Sequence, residues 1–438
     1  MLLLSCIKTN NKTHWRYLVI QYQTHFDFIH DSIVENHGSV AYYLKLFSRL
    51  NFNVVARYQS NQGRCGYDCH TMIKIALIGI IERLETYPAH RRFLMDRPRL
   101  CEVIGLPLKG GRFCLPSDAT FSKYFNSPWF ANAIKTLFEN TVRVLLPVLL
   151  HHYDYLCVDS QPVFANSALN NPKNFSAKKV SRDKDASWGV KGKSNAPHAS
   201  EKDFIYYFGH KIHMLSLGPI PLTYIVTHAK ANDSPFLKQL LQNVMDSLGL
   251  CSLNVCADKG YDSHANFDFI HERFKGRAFI PKRRSSSVKL PTGACDSFLE
   301  HHSTYLETRR QVLKSKYNCP LFNPSTNTSL CPFRDELDVS NYGCTGYRTL
   351  SNGKYRDWID ASSPQFKKVY RHRLNVENLF SIAEDGRLKR INGFSSRYLE
   401  TKVALFCLFI VTSASLALSQ GKPDWLMATV KLKDSIAA

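Results

Sequence analysis

Tyr155-Leu156-Cys157-Val158-Asp159-Ser160-Gln161-Pro162-Val163 is the stretch that decides the fold. A short apolar run suits a strand buried on both faces, and the acid that ends it marks where that strand reaches a wet rim. Two more strand-like segments follow: Asp203–Phe208 leading into Gly209-His210-Lys211-Ile212-His213-Met214-Leu215, and Leu222–Thr227 after a Gly-Pro-Ile-Pro turn. They read as a consecutive antiparallel meander. Phe236–Leu248 then carries apolar residues at helical spacing behind a Ser234-Pro235 start, and Ser252–Ala257 is a further strand ending at Asp258. Three strands, a helix and a strand, with an acid closing the first and the last strand, predict an α/β layer with its chemistry at the sheet edge.

Outward from this core the texture changes. His70–Tyr87 has a broad apolar stripe of helical period (Met72, Ile73, Ile75, Ala76, Ile78), and Leu115-Pro116-Ser117-Asp118 starts a further helix through Phe121 and Phe125. We therefore expect a helical N-terminal domain over residues 1–145 and a first core segment over 150–275. Residues 276–367 are rich in Pro, Asn, Ser and Gly and read as an insertion with little regular structure. Residues 368–420 return to helical pattern, and 421–438 form a tail. Val403–Ser419 is uncharged, but it is shorter than the roughly 20 residues of a membrane span and contains Thr412, Ser413 and Ser415, so it reads as a buried core helix rather than membrane contact.

Of 438 residues, 57 are Lys or Arg and 36 are Asp or Glu, a formal charge of +21. Such an excess attracts a polyanion, because each cation set against a phosphate releases condensed counterions. Hydrophobic residues make up 44%, which excludes a disordered basic tail. The 13 cysteines are odd in number and irregularly spaced, and the apolar start is interrupted by Lys8, so a reducing cytoplasm fits better than export. Cys319, Cys331 and Cys344, with Cys295 upstream, could supply thiolates to a structural Zn²⁺, but the short paired spacing of zinc ribbons is missing and reduced structural thiols are the alternative. Cys65, Cys69 and His70 are a weaker hint of the same kind.

Asp159 and Asp258 at strand ends and Glu377 on a helix between Val376 and Leu379-Phe380 form a set of three carboxylates on rigid elements. Oxygen ligands of this type suit Mg²⁺, and two such ions about 3.5–4 Å apart stabilise both oxygens of an in-line phosphoryl displacement. Basic runs flank two of the acids: Lys173–Lys193 after the first, and Arg273–Lys289, including Arg283 and Arg284, after the second. They read as solvated loops or as phosphate clamps.

Six ordered motifs extend the pattern: Leu115-Pro116-Ser117-Asp118-Ala119-Thr120-Phe121-Ser122, Val158–Val163, Tyr207-Phe208-Gly209-His210-Lys211-Ile212-His213, Ala231-Asn232-Asp233, Ala257-Asp258-Lys259-Gly260-Tyr261-Asp262, and Tyr370-Arg371-His372-Arg373-Leu374-Asn375-Val376-Glu377. Together, over approximately residues 65–418, the chain resembles the DDE transposases of bacterial insertion sequences. The resemblance implies an RNase H-like mixed sheet with flanking helices, preceded by the helical domain and interrupted by the cysteine-containing insertion. It also implies that Asp159, Asp258 and Glu377 are the metal-binding acids for Mg²⁺, with Mn²⁺ as a substitute. Tyr370 and Arg373 match the Tyr and Arg of a Tyr-x2-Arg-x3-Glu-x6-Lys signature that holds DNA phosphate. The Lys position is Glu384, and the nearest bases are Arg387 and Lys389. Lys211, Arg283, Arg284 and Lys389 complete the expected DNA contacts. The implied partner is double-stranded DNA, both transposon ends and target, bound by a homodimer in a bacterial or archaeal cytoplasm. A catalytically retired DNA-binding descendant and an RNase H-like nuclease that does not join strands remain the alternatives.

Overall fold

A computed structural model describes residues 38–58, 66–171, 180–192, 204–282, 299–307, 312–323, 328–329, 344–349, 355–356, 358–359, 363–384, 388–423, 426, 433 and 436. Contacts divide the chain into two compact units, Met1–Tyr124 with Leu408–Ala438, and Phe125–Cys407.

The first unit opens with α1 (Gly38–Phe47), α2 (Cys69–Ile81), α3 (Tyr87–Met95) and α4 (Pro98–Ile104), followed by the hairpin β1 (Leu108–Lys109) and β2 (Arg112–Phe113) and by α5 (Asp118–Phe125). α2 is apolar nearly all round and buried along its length, as expected of a central helix. Asp68 starts it by accepting from the His70 N–H. The sequence pattern suggested one helix from His70 to Tyr87. The structure breaks it after Ile81, where Arg83 takes a left-handed conformation (φ 56°), and begins α3 afresh behind the Thr86 cap and Pro88.

The second unit carries α6 (Pro128–His152), β3 (Tyr155–Phe164), β4 (Ser187–Gly192), β5 (Phe204–Leu217), β6 (Ile220–His228), α7 (Ser234–Leu248), β7 (Asn254–Ala257), α8 (His264–Asp268) and β8 (Arg277–Phe279). These strands make one mixed sheet of order β4-β5-β3-β7-β8, with β6 also paired to β5. β3, β5 and β6 form the expected antiparallel meander, while β7 and β8 run parallel to β3 on its other side. This is the α/β arrangement anticipated as RNase H-like. β5 is long enough to pair with β4 through its first half and β6 through its second. Gly209 lies at the junction: a Cβ there would stand 2.0 Å from the Val163 carbonyl oxygen, so only glycine lets the strands approach.

The insertion is more regular than its composition suggests. β9 (Glu300–Glu307), β10 (Val312–Asn318) and β13 (Thr345–Thr349) form a three-stranded antiparallel sheet, with β11 (Phe322–Asn323) and β12 (Thr328–Ser329) as a short hairpin. Its strands are built from Thr, Ser, Tyr, His and Lys, which give no aliphatic alternation, and the backbone ladder carries the order instead. The chain returns through α9 (Pro364–Tyr370), a 3₁₀ turn at Arg371–Arg373, α10 (Leu374–Glu384) and α11 (Ser396–Ser419). α11 is long and apolar enough to cross a membrane by length and composition, yet 89% of its most apolar window is buried within the protein, as in a core helix.

Candidate active site

The register of two neighbouring strands brings the aspartates together. β3 and β7 pair in parallel up to Val158 opposite Ala257, and the next residue on each is an acid, Asp159 and Asp258. Both carboxylates therefore leave the carboxyl end of the paired segment, the usual position of a ligand site in an open α/β sheet. Asp159 Oδ1 accepts from the Ser160 N–H at 2.8 Å, and Asp258 Oδ1 accepts from the Gly260 N–H at 2.7 Å. Glu377 comes from the first turn of α10.

These three acids surround one guanidinium. Arg373 donates from Nη1 to Asp159 Oδ2 at 3.3 Å, lies 3.9 Å from Asp258 Oδ2 through the same nitrogen, and donates from Nη2 to Glu377 Oε1. The Asp159 side chain is 17% exposed, against 41% for Asp258 and 39% for Glu377, so the cluster is buried at one end and open at the other. Burial pushes the Asp159 carboxyl up to about 6, aided by the negative charges of Asp258 and Glu377, while Arg373 pulls the other way. Burial works against the charge on Arg373, but the acids around it outweigh that and raise its pKa overall. Tyr370 stacks on Phe366, places its ring 5.8 Å from the guanidinium, and is pushed by burial up to about 12.

The segment bearing Arg373 is tied to both strands. Cys157 Sγ donates to the His372 carbonyl at 3.2 Å, the His372 ring stacks on Tyr155 with centroids 3.8 Å apart, and Asn375 donates to the Tyr155 hydroxyl at 3.1 Å. Cys256 Sγ reaches the Val369 carbonyl at 3.6 Å. The cysteines two residues before each aspartate thus fix the α9–α10 turn, so the acids and the arginine form one constructed site.

Residues 151–412 match the sequence model of the family described as Transposase DDE domain, well over half of the chain. The chain belongs to that family. No curated protein sequence matches this DDE transposase-family chain. Among solved structures it is similar to a piggyBac transposase in a synaptic complex with hairpin DNA, at 11% identity and a TM-score of 0.36, covering 92% of this chain and 81% of that one. A superposition this loose carries nothing further about this chain.

The donor set of this acid cluster suits a hard divalent cation. Three carboxylates from separate elements converge where burial opposes the ionisation of one of them, and a single cation, Arg373, offsets them only in part. Among the described residues no group of three or more His, Cys, Asp and Glu stands ready to grip an ion directly, and Arg373 stands between the acids.

The other expected contacts of this DDE transposase-family chain lie elsewhere. Lys211 donates to Asp233 Oδ1 and to the Ala231 carbonyl, each at 2.9 Å. Its register opposite Pro162, three residues from Asp159 on β3, starts its side chain on the other face of the sheet, while its partner Asp233 neighbours Asp258 across Gly260. Lys389 is exposed, and its carbonyl accepts from the Phe164 N–H, five residues along β3 from Asp159 and roughly 16 Å away at strand rise. Arg283, Arg284, Arg387, Cys65, Cys295 and Cys331 lie outside the described residues. Cys319 and Cys344 are backbone neighbours, with the Cys319 N–H donating to the Cys344 carbonyl at 2.9 Å.

Some supporting residues were not legible as such. Arg356 makes a two-pronged pair with the buried Asp262 at 2.7 and 2.6 Å, anchoring the turn that follows Asp258. His213 is buried against Phe236, lies 3.5 Å from the Tyr261 hydroxyl and 3.1 Å from that of Thr227, and is drawn by burial down to about 4, so it is neutral at pH 7. Asp262 and His213 sit inside motifs already noted, but their partners are distant in sequence, and nothing local names them.

Proposed function

We propose that this chain is the transposase of an insertion sequence, which binds the terminal inverted repeats of its own element as a homodimer and cuts and joins DNA by a two-metal mechanism. The observation that carries the reading is the convergence of Asp159, Asp258 and Glu377 on one cation at the ends of β3 and β7. Asp159, Asp258 and Glu377 would hold two Mg²⁺ ions, or Mn²⁺ in their place, which supply Lewis acidity at the attacking and leaving oxygens of the scissile phosphate.

The remaining steps belong to the chain's own groups. Asp159 gives up its proton as it takes on a ligand role. Arg373, released from the carboxylates, turns its planar fork to a DNA phosphate oxygen, which it matches better than a lysine would. Tyr370 backs the guanidinium with its ring. In the first step a water oxygen bonds the phosphorus as the bond to the 3′ oxygen breaks, freeing a 3′-hydroxyl. In the second, that hydroxyl bonds a target phosphorus and displaces the target's own 3′ oxygen. Residues 1–145 serve end recognition and dimerisation, and Arg283, Arg284 and Lys389 serve phosphate contact.

The test is an assay of end cleavage and of strand transfer from pre-cut ends, with Mg²⁺ or Mn²⁺. Wild-type protein should perform both, and Asp159→Ala should perform neither while still binding the ends. Metal-dependent cleavage that persists in Asp159→Ala overturns the site. Cleavage without joining identifies a nuclease instead. The reading as a retired DNA-binding descendant draws on Glu384 at the Lys position and predicts end binding with no cleavage by the wild type.

A further inference from the structure

Glu384 stands where the family signature has a lysine, and the structure gives it a partner. Gln161 Nε2 donates to Glu384 Oε1 at 2.8 Å. Gln161 is 3% exposed, and its own Oε1 is buried with no hydrogen-bond partner among the described residues, so Glu384 is what orients this amide. A carboxylate would repel a DNA phosphate, which removes Glu384 from the phosphate role that the signature gives a lysine.

The spacing of the two residues matters more than the bond alone. Asp159 and Gln161 are two apart on β3 and therefore project from the same face. Glu377 and Glu384 are seven apart on α10, about two turns, and therefore share one side of the helix. The helix is thus linked to the strand at two points: Glu377 to Asp159 through Arg373, and Glu384 to Gln161 directly. Between them lie Leu379, Phe380 and Ala383, with Val376 just before Glu377, all buried. Apolar packing is non-directional and tolerates small slides and rotations, whereas a hydrogen bond fixes distance and angle.

We propose that Glu384 and Gln161 are a positioning pair that sets the register of α10 on β3 and thereby holds Glu377 at the distance from Asp159 that a shared cation requires. The rate readout rests on the transposase reading, but metal binding does not. The decisive experiment swaps the two groups. Gln161→Glu alone opposes two carboxylates, and Glu384→Ala alone removes the acceptor. The double variant Gln161→Glu with Glu384→Gln restores an amide-to-carboxylate bond with its direction reversed.

Mn²⁺ affinity of the full chain is measured by calorimetry, and end cleavage is followed as kcat and KM. Each single variant should lose Mn²⁺ affinity and kcat by about 10-fold or more, the range for groups that orient metal ligands, with KM for the DNA end little changed. The double variant should regain most of both. A double variant as impaired as Gln161→Glu, or wild-type Mn²⁺ affinity in Glu384→Ala, overturns the proposal. Should Gln161→Glu fail to fold, Glu384→Ala decides alone, because its site is only part-buried and alanine favours the helix. If the swap governs Mn²⁺ affinity while no DNA end is cut, the transposase reading fails and the pair stands. If the ends are cut and neither readout follows the swap, the pair fails and the transposase reading stands.

Discussion

Two charged clusters rise from opposite faces of the same sheet and approach each other at Gly260, whose Cβ position is 3.7 Å from Asp233 Oδ2 and 3.8 Å from Asp258 Oδ1, and they balance differently. At the ends of β3 and β7, the carboxylates of Asp159, Asp258 and Glu377 share the single guanidinium of Arg373. On the other face, Lys211 meets Asp233 one to one, and the adjacent His213 is neutral. The first cluster is short of positive charge and keeps one carboxyl near a pKa of 6 through burial; the second is satisfied by its own groups. A satisfied network holds structure together, whereas an uncompensated one in a partly open site calls for a cation from outside.

The largest effect should come from removing the carboxylates themselves. Asp159→Ala, Asp258→Ala or Glu377→Ala each removes a donor and should reduce metal-dependent cleavage to background, read by release of the cut end. If any one of them keeps wild-type cleavage, the first cluster is not the site.

Removing the internal cation sharpens the comparison. Arg373→Ala should raise the Mn²⁺ affinity of DNA-free protein by about tenfold or more at alkaline pH, where the acids are ionised without its help, since the ion no longer has to displace a guanidinium whose coupling to a carboxylate is worth about one to three pKa units. The same variant should lose strand cleavage, because the phosphate contact goes with it. Unchanged calorimetric affinity would mean that Arg373 does not compete with the ion.

Acidification should act on the same cluster. Burial raises the Asp159 carboxyl to about 6, so below that pH a proton must leave before a cation binds, and Mn²⁺ affinity should fall by about tenfold per pH unit. The sign for stability is opposite to that of a paired surface acid. The fold benefits from Asp159 while it is protonated, and that benefit is lost as pH rises from roughly 4 to about 6. Asp159→Asn should therefore stabilise the metal-free protein at pH 7 by up to about 2 kcal/mol in urea melts, while a loss of stability would show that Arg373 more than compensates the burial.

The smallest effect belongs to the balanced cluster. Lys211→Met should cost about 1–2 kcal/mol of stability by leaving Asp233 unpaired, and it should leave the salt dependence of end binding unchanged. A salt slope reduced by about one would instead assign this ammonium to a DNA phosphate.

The acidic half of the comparison was readable in the order of residues because its signals are local. An apolar run that ends in an acid marks both Asp159 and Asp258, and the helical period around Glu377 marks the third. The parallel pairing of β3 with β7 then follows from the strand-helix-strand order. β4 went unread because Ser187–Gly192 alternates around two glycines and a lysine, and the sheet of β9, β10 and β13 because polar strands carry no hydrophobic period. The helix break at Arg83 was hidden because a left-handed residue with a side chain has no compositional mark.

The amino-acid order by itself determined the three acids, the elements that carry them and the excess of basic residues around them, since each depends on neighbours a few positions away. Only the tertiary structure decided that one arginine stands among all three acids, that Lys211 is spent on Asp233, and that Glu384 is held by Gln161. Arg373 and Asp159 are 214 residues apart and Gln161 and Glu384 are 223 apart. Such contacts are closed by the register of the sheet and the seating of α10 upon it, which no local pattern encodes.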